Sequence, residues 1–137
     1  MQLTISMHCH KILIVEDDDA IRLALVDLLA SEGYEAVPAH HGKEALGLLY
    51  ERKENPCLIL TDLMMPEMDG WELIKILKEQ DIVITIPVIA MTAGANDRVP
   101  KTKVIKKPFN LETVVKLVKQ HCGSPNDGPI TKEQKSL

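Results

Sequence analysis

The sequence predicts an α/β domain built on a parallel five-stranded sheet with helices on both faces. Short apolar, β-branched runs alternate with segments whose apolar residues recur at helical spacing. Each crossover between strands is long enough for a parallel connection. The chain has 137 residues, 45% of them hydrophobic, which is enough for one buried core. We expect a single domain over residues 11–122, with unpatterned polar tails at 1–10 and 123–137.

The first strand and the first helix have the clearest pattern. Lys11–Val15 is an apolar run that ends abruptly in acids, as a strand buried on both faces does when it opens onto a polar site. Asp18 or Asp19 can cap the helix that follows, and Gly33 can end it. Its apolar face is formed by Ile21, Ala24, Leu25, Leu28 and Leu29. Together they make the first strand and crossover helix of the sheet.

The same unit recurs along the rest of the chain. Predicted strands cover 34–37, 57–61, 87–91 and 103–105, and predicted helices cover 42–52, 70–78 and a segment that begins near 111. Thr92 and Lys107 are only 15 positions apart, and Pro100 interrupts the pattern between them. The helix that joins the fourth and fifth strands is therefore expected to be shortened or irregular.

Composition narrows the classes of function. The chain has 16 Lys and Arg against 20 Asp and Glu. Its net charge of −4 disfavours binding to the negatively charged backbone of a nucleic acid. No apolar run reaches the roughly 18 residues of a membrane span, and the first ten residues lack a signal-peptide stretch, so we expect a cytoplasmic protein without membrane contact. Three scattered cysteines, Cys9, Cys57 and Cys122, are too few for a disulfide framework and suit a reducing compartment. Cys57 is expected to be a buried small hydrophobic residue.

The chemistry is expected where the strands end. Ligands of open α/β sheets bind at the carboxyl ends of the strands. The polar residues at those ends are Glu16, Asp17, Asp18, Asp62, Thr92, Lys106 and Lys107. Converging carboxylates repel one another unless a cation is bound, and Mg²⁺ prefers such oxygen ligands. The set predicts a metal site where a carboxylate attacks phosphorus while the metal, a Lys and a Thr hydroxyl neutralise the phosphoryl oxygens.

Four short motifs surround these residues. They are Ile-Leu-Ile-Val-Glu-Asp-Asp at 12–18, Leu-Thr-Asp-Leu-Met-Met-Pro-Glu-Met-Asp-Gly at 60–70, Met-Thr-Ala at 91–93 and Lys-Pro-Phe at 107–109. Together, and in this order, they resemble the receiver domain of bacterial two-component response regulators. The resemblance implies a flavodoxin-like (βα)5 fold with strand order 2-1-3-4-5. It also implies a cis peptide bond between Lys107 and Pro108.

The same resemblance implies roles for three of these acidic residues. Asp62 corresponds to the phosphoacceptor of the family. Glu16 and Asp17 correspond to the acidic pair that binds Mg²⁺, for which Mn²⁺ can substitute. Asp62 and the backbone carbonyl of Met64 complete the implied metal site.

Three further positions bear on the switch. Thr92 corresponds to the hydroxyl that moves to the phosphoryl group, and Lys107 to the Lys that pairs with that group. Val104 stands where members of the family usually carry a Tyr or Phe that turns inward. Because Val cannot make that rotamer change, the signal is expected to travel by loop and helix shifts or through a different output face.

The implied function is a phosphoacceptor signalling switch in a phosphorelay. A sensor histidine kinase or a histidine phosphotransfer protein supplies the phosphoryl group, and affinity for an unidentified downstream protein changes. The chain is expected to catalyse only its own phosphorylation and dephosphorylation, so it is not a turnover enzyme. A DNA-binding output domain is absent from these 137 residues, and dimerisation is left open.

Two other functions are open at this point. The pattern Asp17-x-Asp19 after a buried strand superficially resembles a haloacid-dehalogenase-type phosphohydrolase, in which the first Asp attacks and the second is acid and base. That class usually needs a further acidic pair after its Lys. The other alternative is a docking module without phosphorylation, although converging carboxylates are costly to keep without a cation. Substituting Asp17 or Asp62 distinguishes the phosphohydrolase from the receiver-type phosphoacceptor, because only one of the two residues can carry the phosphoryl group.

Overall fold

A sheet of five strands forms the centre of the molecule. The computed structural model describes residues 10–52, 54–63, 70–80, 86–92 and 103–125. The strands are β1 (Lys11–Val15), β2 (Glu35–Ala39), β3 (Leu58–Asp62), β4 (Val88–Thr92) and β5 (Lys103–Lys106). The helices in the described ranges are α1 (Asp19–Ser31), α2 (Gly42–Tyr50), α3 (Gly70–Glu79) and α4 (Leu111–Cys122).

The strands are parallel and lie in the order β2-β1-β3-β4-β5. This confirms the predicted fold class and strand order. The order reverses between β1 and β3, and Val15 of β1 lies opposite Thr61 of β3. The residues that follow these two strands therefore emerge side by side, at the crevice where ligands of such sheets bind.

Strand β1 is buried on both faces, as its continuous apolar pattern predicts. Ile12 and Ile14 belong to the apolar layer beneath α1 and α4, whereas Leu13 and Val15 belong to the layer beneath α2 and α3. This division follows from the two-residue repeat of a strand. All four side chains are at most 1% exposed. Helices on both faces thus fix the sheet whose carboxyl edge carries the polar residues.

Helix ends agree with the capping signals in the sequence. The side chain of Asp18 accepts a hydrogen bond from the backbone N–H of Ile21 at 3.0 Å and starts α1. Asn110 starts α4 in the same way, accepting from the N–H of Glu112 at 2.7 Å. Gly33 follows α1 with a φ of 95°, the left-handed conformation that glycine adopts most readily. The predicted cis bond at Lys107–Pro108 is confirmed.

Strand β1 has the predicted boundaries, whereas the other four strands differ from the predicted ones by one or two residues at one or both ends. Strand β2 was predicted at 34–37 but runs over Glu35–Ala39, because its pairing with β1 continues until Ala39 lies opposite Val15. Strands β3 and β4 each begin and end one residue later than predicted. Tertiary pairing overrides local pattern at such ends. The shift places Asp62 inside β3, as its last residue.

The expectation for Cys57 was wrong. Cys57 and Cys122 are joined by a disulfide, with Cα atoms 5.8 Å apart across a sequence separation of 65. Cys57 is half-buried, so it is not the buried hydrophobic residue that was predicted. Spacing along the chain could not reveal this pair, because only the fold brings the start of β3 to the end of α4.

Other predictions fall outside the described residues. They concern the helix between β4 and β5, the backbone carbonyl of Met64, and most of both tails. Val104 does lie in a described strand, opposite Ala90 and 39% exposed. Within the described ranges, no helix has the length and apolar character needed to cross a bilayer.

Candidate functional site

Three carboxylates converge at the carboxyl ends of β1 and β3. Glu16, Asp17 and Asp62 each offer an oxygen that lies within 4.8 Å of the other two. Glu16 is fully buried and Asp62 is 5% exposed, whereas Asp17 is exposed. The cluster therefore sits in the sheet crevice and opens to solvent on the side of Asp17. The structure thus brings together the three carboxylates that the sequence singles out.

A lysine side chain reaches the same cluster from the carboxyl end of β5, an edge strand of the sheet. Lys107 directly follows β5, and its Nζ lies 2.7 Å from Oε1 of Glu16 and 3.3 Å from Oδ2 of Asp62. Its side chain is only 15% exposed. The neighbouring Lys106, which the family resemblance sets aside in favour of Lys107, is exposed.

Electrostatics within the cluster follow from burial and proximity. Burial raises the pKa of the Glu16 carboxyl above its ordinary value, and the nearby charge of Asp62 acts in the same direction. Hydrogen bonds from Lys107 and from the backbone N–H of Asp18, 3.1 Å from Oε2, offset part of that rise. Burial also disfavours the ammonium of Lys107, but its bond to Glu16 and the two nearby carboxylates outweigh burial and raise its pKa. Lys107 is therefore a positive charge at neutral pH.

The donor set fits a hard divalent cation. Lys107 brings one positive charge against three carboxylates. The oxygens at the open side of the cluster belong to carboxylates, the ligand type that Mg²⁺ and Mn²⁺ prefer over imidazole or thiolate. Binding such a cation would relieve the mutual repulsion of the carboxylates.

Thr92 lies at the same edge of the sheet. It is the last residue of β4 and is 4% exposed. Asp62 pairs with Met91 in the register of β3 and β4, so Thr92 lies one position beyond Asp62 along the sheet edge. The backbone N–H of Lys107 donates to the carbonyl of Thr92 at 2.7 Å. The ends of β4 and β5 are thus tied together beside the carboxylates.

Arg22 supports the acidic cluster, a role that the sequence pattern did not predict. It is 7% exposed on α1, and one guanidinium nitrogen donates to the backbone carbonyl of Glu16 at 2.8 Å. The other terminal nitrogen lies 2.5 Å from Oδ1 of Asp19. A signal did exist, because Arg22 shares helical spacing with the buried Leu25 and Leu29. A cation on the core face of a helix calls for a buried acceptor, which here is the Glu16 carbonyl.

Replacing Arg22 by methionine is expected to destabilise the domain by about 1–3 kcal/mol, because a buried carbonyl loses its charged donor. It should also weaken Mg²⁺ binding, since the backbone of Glu16 is no longer held. Urea denaturation and a Mg²⁺ titration followed by melting temperature measure the two effects. Asp19→Asn is the matched control, because it alters the exposed partner of Arg22 and leaves the bond to Glu16 in place. Equal effects of the two variants would contradict the supporting role of Arg22.

Fold and site together define a class of protein: a flavodoxin-like α/β domain with an acidic cluster and a lysine at the carboxyl edge of its sheet. The model of the response regulator receiver domain family matches residues 12–119. The chain belongs to this family. It is therefore a receiver domain of two-component signalling, with the phosphoacceptor switch role of that family, and the predicted resemblance is confirmed.

Individual relatives agree with the family match. The polar-differentiation response regulator DivK of Brucella anthropi is 35% identical over 119 residues, which cover 82% of this chain and 95% of DivK. The solved structure of the chemotaxis protein CheY4 of Vibrio cholerae is 30% identical, with a TM-score of 0.73 and coverage of 82% and 98%. A signal receiver domain of a signal transduction histidine kinase from Syntrophus aciditrophicus is also 30% identical, with a TM-score of 0.74 and coverage of 90% and 96%.

Proposed function

We propose that the chain accepts a phosphoryl group on Asp62 in a Mg²⁺-dependent reaction. The donor is a sensor histidine kinase or a histidine phosphotransfer protein, and phosphorylation alters the affinity for a downstream protein. One observation carries the proposal: Lys107 Nζ lies 3.3 Å from Oδ2 of Asp62, within a cluster of three carboxylates. A nucleophilic carboxylate, a place for a divalent cation and a fixed ammonium are the parts that phosphoryl transfer needs.

Each residue of the site has a distinct task in this proposal. Glu16 and Asp17 would hold the cation, together with Asp62 and the backbone carbonyl of Met64. The bound cation supplies charge neutralisation for the phosphoryl oxygens. A carboxylate oxygen of Asp62 attacks phosphorus, and the bond from phosphorus to the donor atom breaks, so that the donor leaves with the electron pair. Lys107, held beside Asp62, pairs with a phosphoryl oxygen in the product.

Thr92 would carry the phosphorylation state to the rest of the domain. Its hydroxyl moves to the phosphoryl group. Its backbone carbonyl accepts a hydrogen bond from the N–H of Lys107, the residue after β5. Val104 on β5 stands where the family usually carries a Tyr or Phe, and a valine side chain cannot make the inward rotation of such a ring. The change therefore travels by loop and helix shifts or through a different output face.

The remaining assignments are part of the same proposal. The domain spans 11–122 between two polar tails, and it works in the cytoplasm. It catalyses its own phosphorylation and dephosphorylation without turning over a metabolite. Neither nucleic acid nor a membrane is a direct partner of this domain.

Intact-mass spectrometry after incubation with acetyl phosphate tests the proposal. The wild type is expected to gain the mass of one phosphoryl group in Mg²⁺ and none in EDTA. Asp62→Asn should remove the adduct, because an amide oxygen is a much weaker nucleophile than a carboxylate. Asp27→Asn is the matched control: it makes the same chemical change at an exposed position of α1, and it should be phosphorylated like the wild type.

Two outcomes would overturn the assignment. An adduct that survives in Asp62→Asn and disappears in Asp17→Asn would make Asp17 the nucleophile, as in the phosphohydrolase alternative. No adduct in Mg²⁺ on a folded wild type would favour the docking module.

A further inference from the structure

Two cysteines meet at the end of the sheet opposite the carboxylates. Cys57 directly precedes β3, and Cys122 is the last residue of α4. Their sulfur atoms are bonded, and the Cα separation of 5.8 Å is ordinary for a protein disulfide. The bond fastens the last turn of α4 to the amino end of a central strand. Asp62 lies at the other end of that strand, roughly 16 Å away at the rise of an extended chain.

The same helix end has weaker attachments besides the disulfide. The hydroxyl of Tyr34 donates to the backbone carbonyl of Gly123, the residue after α4. Lys119 Nζ lies 3.4 Å from Oε1 of Glu32, but both side chains are substantially exposed, so this pair contributes little. The chain leaves α4 at Gly123. The disulfide is thus the strongest of these ties at the point where the C-terminal segment departs.

We propose that Cys57 and Cys122 form a reversible redox site that fixes the last turn of α4 when oxidised and releases it when reduced. The reversibility rests on the proposed cytoplasmic location, because disulfides in reducing compartments are usually transient or redox-sensing. Cys57 is the more accessible partner, being half-buried, whereas Cys122 is 8% exposed. Reagents therefore reach the pair through Cys57.

The oxidant is a low-molecular-weight disulfide such as oxidised glutathione. The thiolate of Cys57 attacks one glutathione sulfur, the glutathione S–S bond breaks, and one glutathione thiolate leaves with the electron pair. Cys122, as its thiolate, then attacks the sulfur of Cys57 and expels the second glutathione. The two protein thiols lose two protons and two electrons, and two glutathione thiols are formed. A dithiol such as dithiothreitol reverses the sequence.

Oxidised and reduced forms of the full chain provide the test. After treatment with oxidised glutathione, peptide mapping should find Cys57 linked to Cys122, and dithiothreitol should restore both thiols. The oxidised form should melt on the order of 10 °C higher, because the bond closes a long loop in the unfolded chain. Amide exchange in the last turn of α4 should slow by tenfold or more on oxidation.

Cys9→Ser is the matched control and should retain every redox effect, whereas Cys57→Ser and Cys122→Ser should abolish them. The comparison within the wild type needs no substitution, so it stands even if a serine variant folds poorly. Equal melting temperatures and equal exchange at the end of α4 in the two forms would overturn the proposal, as would a link from Cys57 to Cys9. Phosphorylation of Asp62 should persist in both redox forms, so failure here and failure of the proposed function are distinguishable.

Discussion

Gly70→Ala is expected to destabilise the domain by about 3 kcal/mol or more and to suppress its phosphorylation. A Cβ added at Gly70 would lie 2.2 Å from the backbone carbonyl oxygen of Asp62 and 2.7 Å from Cα of Leu63. Both are backbone atoms, which no rotamer change can move aside. The N–H of Gly70 also donates to the carbonyl of Leu63 at 3.0 Å, so α3 begins in direct contact with the end of β3.

The added methyl group at residue 70 would clash with the backbone of the phosphoacceptor, so the substitution should affect phosphorylation as well as the stability of the domain. Asp62 must keep its position relative to Lys107, and its own carbonyl would have to move to admit a methyl group. Relief of the clash therefore displaces the carboxylate or detaches the start of α3. Urea denaturation measures the loss of stability. Intact mass after acetyl phosphate treatment measures the loss of phosphorylation.

Gly47→Ala is the matched control, because it adds the same methyl group in the middle of α2. There the new Cβ would lie 3.3 Å from Oε1 of Glu51, the far end of a side chain that can rotate away. Replacing a helical glycine by alanine should stabilise the domain by about 0.5–1 kcal/mol. A Gly70→Ala protein with wild-type stability would show that the close approach between α3 and β3 is not what requires glycine.

Sequence patterns predict best the strands and the residues that directly follow them, because both depend on neighbouring positions along the chain. The apolar run of β1 ends in acids, and a parallel sheet places the ends of its strands at one edge, so Glu16 and Asp62 could be expected to meet. The choice of Lys107 over Lys106 needed the family resemblance, because two consecutive residues differ only in the direction in which they point. The structure supplies that direction, with Lys107 at 2.7 Å from Glu16.

Contacts between distant segments were beyond such patterns. The link between Cys57 and Cys122 depends on where α4 ends relative to β3, and no local spacing encodes that distance. Gly70 appears in the sequence only as a helix start, yet its need for glycine comes from the backbone of β3. Arg22 is intermediate, because its position on the core face is visible but its acceptor is not.

Lys107→Met is expected to separate metal binding from phosphoryl transfer. Without the ammonium, the buried Glu16 loses its partner at 2.7 Å, and the metal-free protein should lose about 3 kcal/mol of stability. The three carboxylates then repel one another more strongly, so Mg²⁺ should bind more tightly and raise the melting temperature further than in the wild type. Phosphorylation by acetyl phosphate should nevertheless fall by about 100-fold, because a charge that stabilises the phosphoryl oxygens is gone.

Lys107→Met is expected to strengthen Mg²⁺ binding and to slow phosphorylation. These opposite changes make the experiment decisive, because general damage to the site would weaken Mg²⁺ binding and phosphorylation together. Lys106→Met is the matched control: it removes the same charge at the adjacent exposed position and should leave Mg²⁺ binding and phosphorylation near the wild-type values. Asp17→Asn should behave as the reverse case, weakening Mg²⁺ binding and phosphorylation together, since it removes a charged oxygen from the open side of the cluster. If Lys107→Met lowered both quantities in parallel, Lys107 would organise the carboxylates rather than neutralise the transferred group.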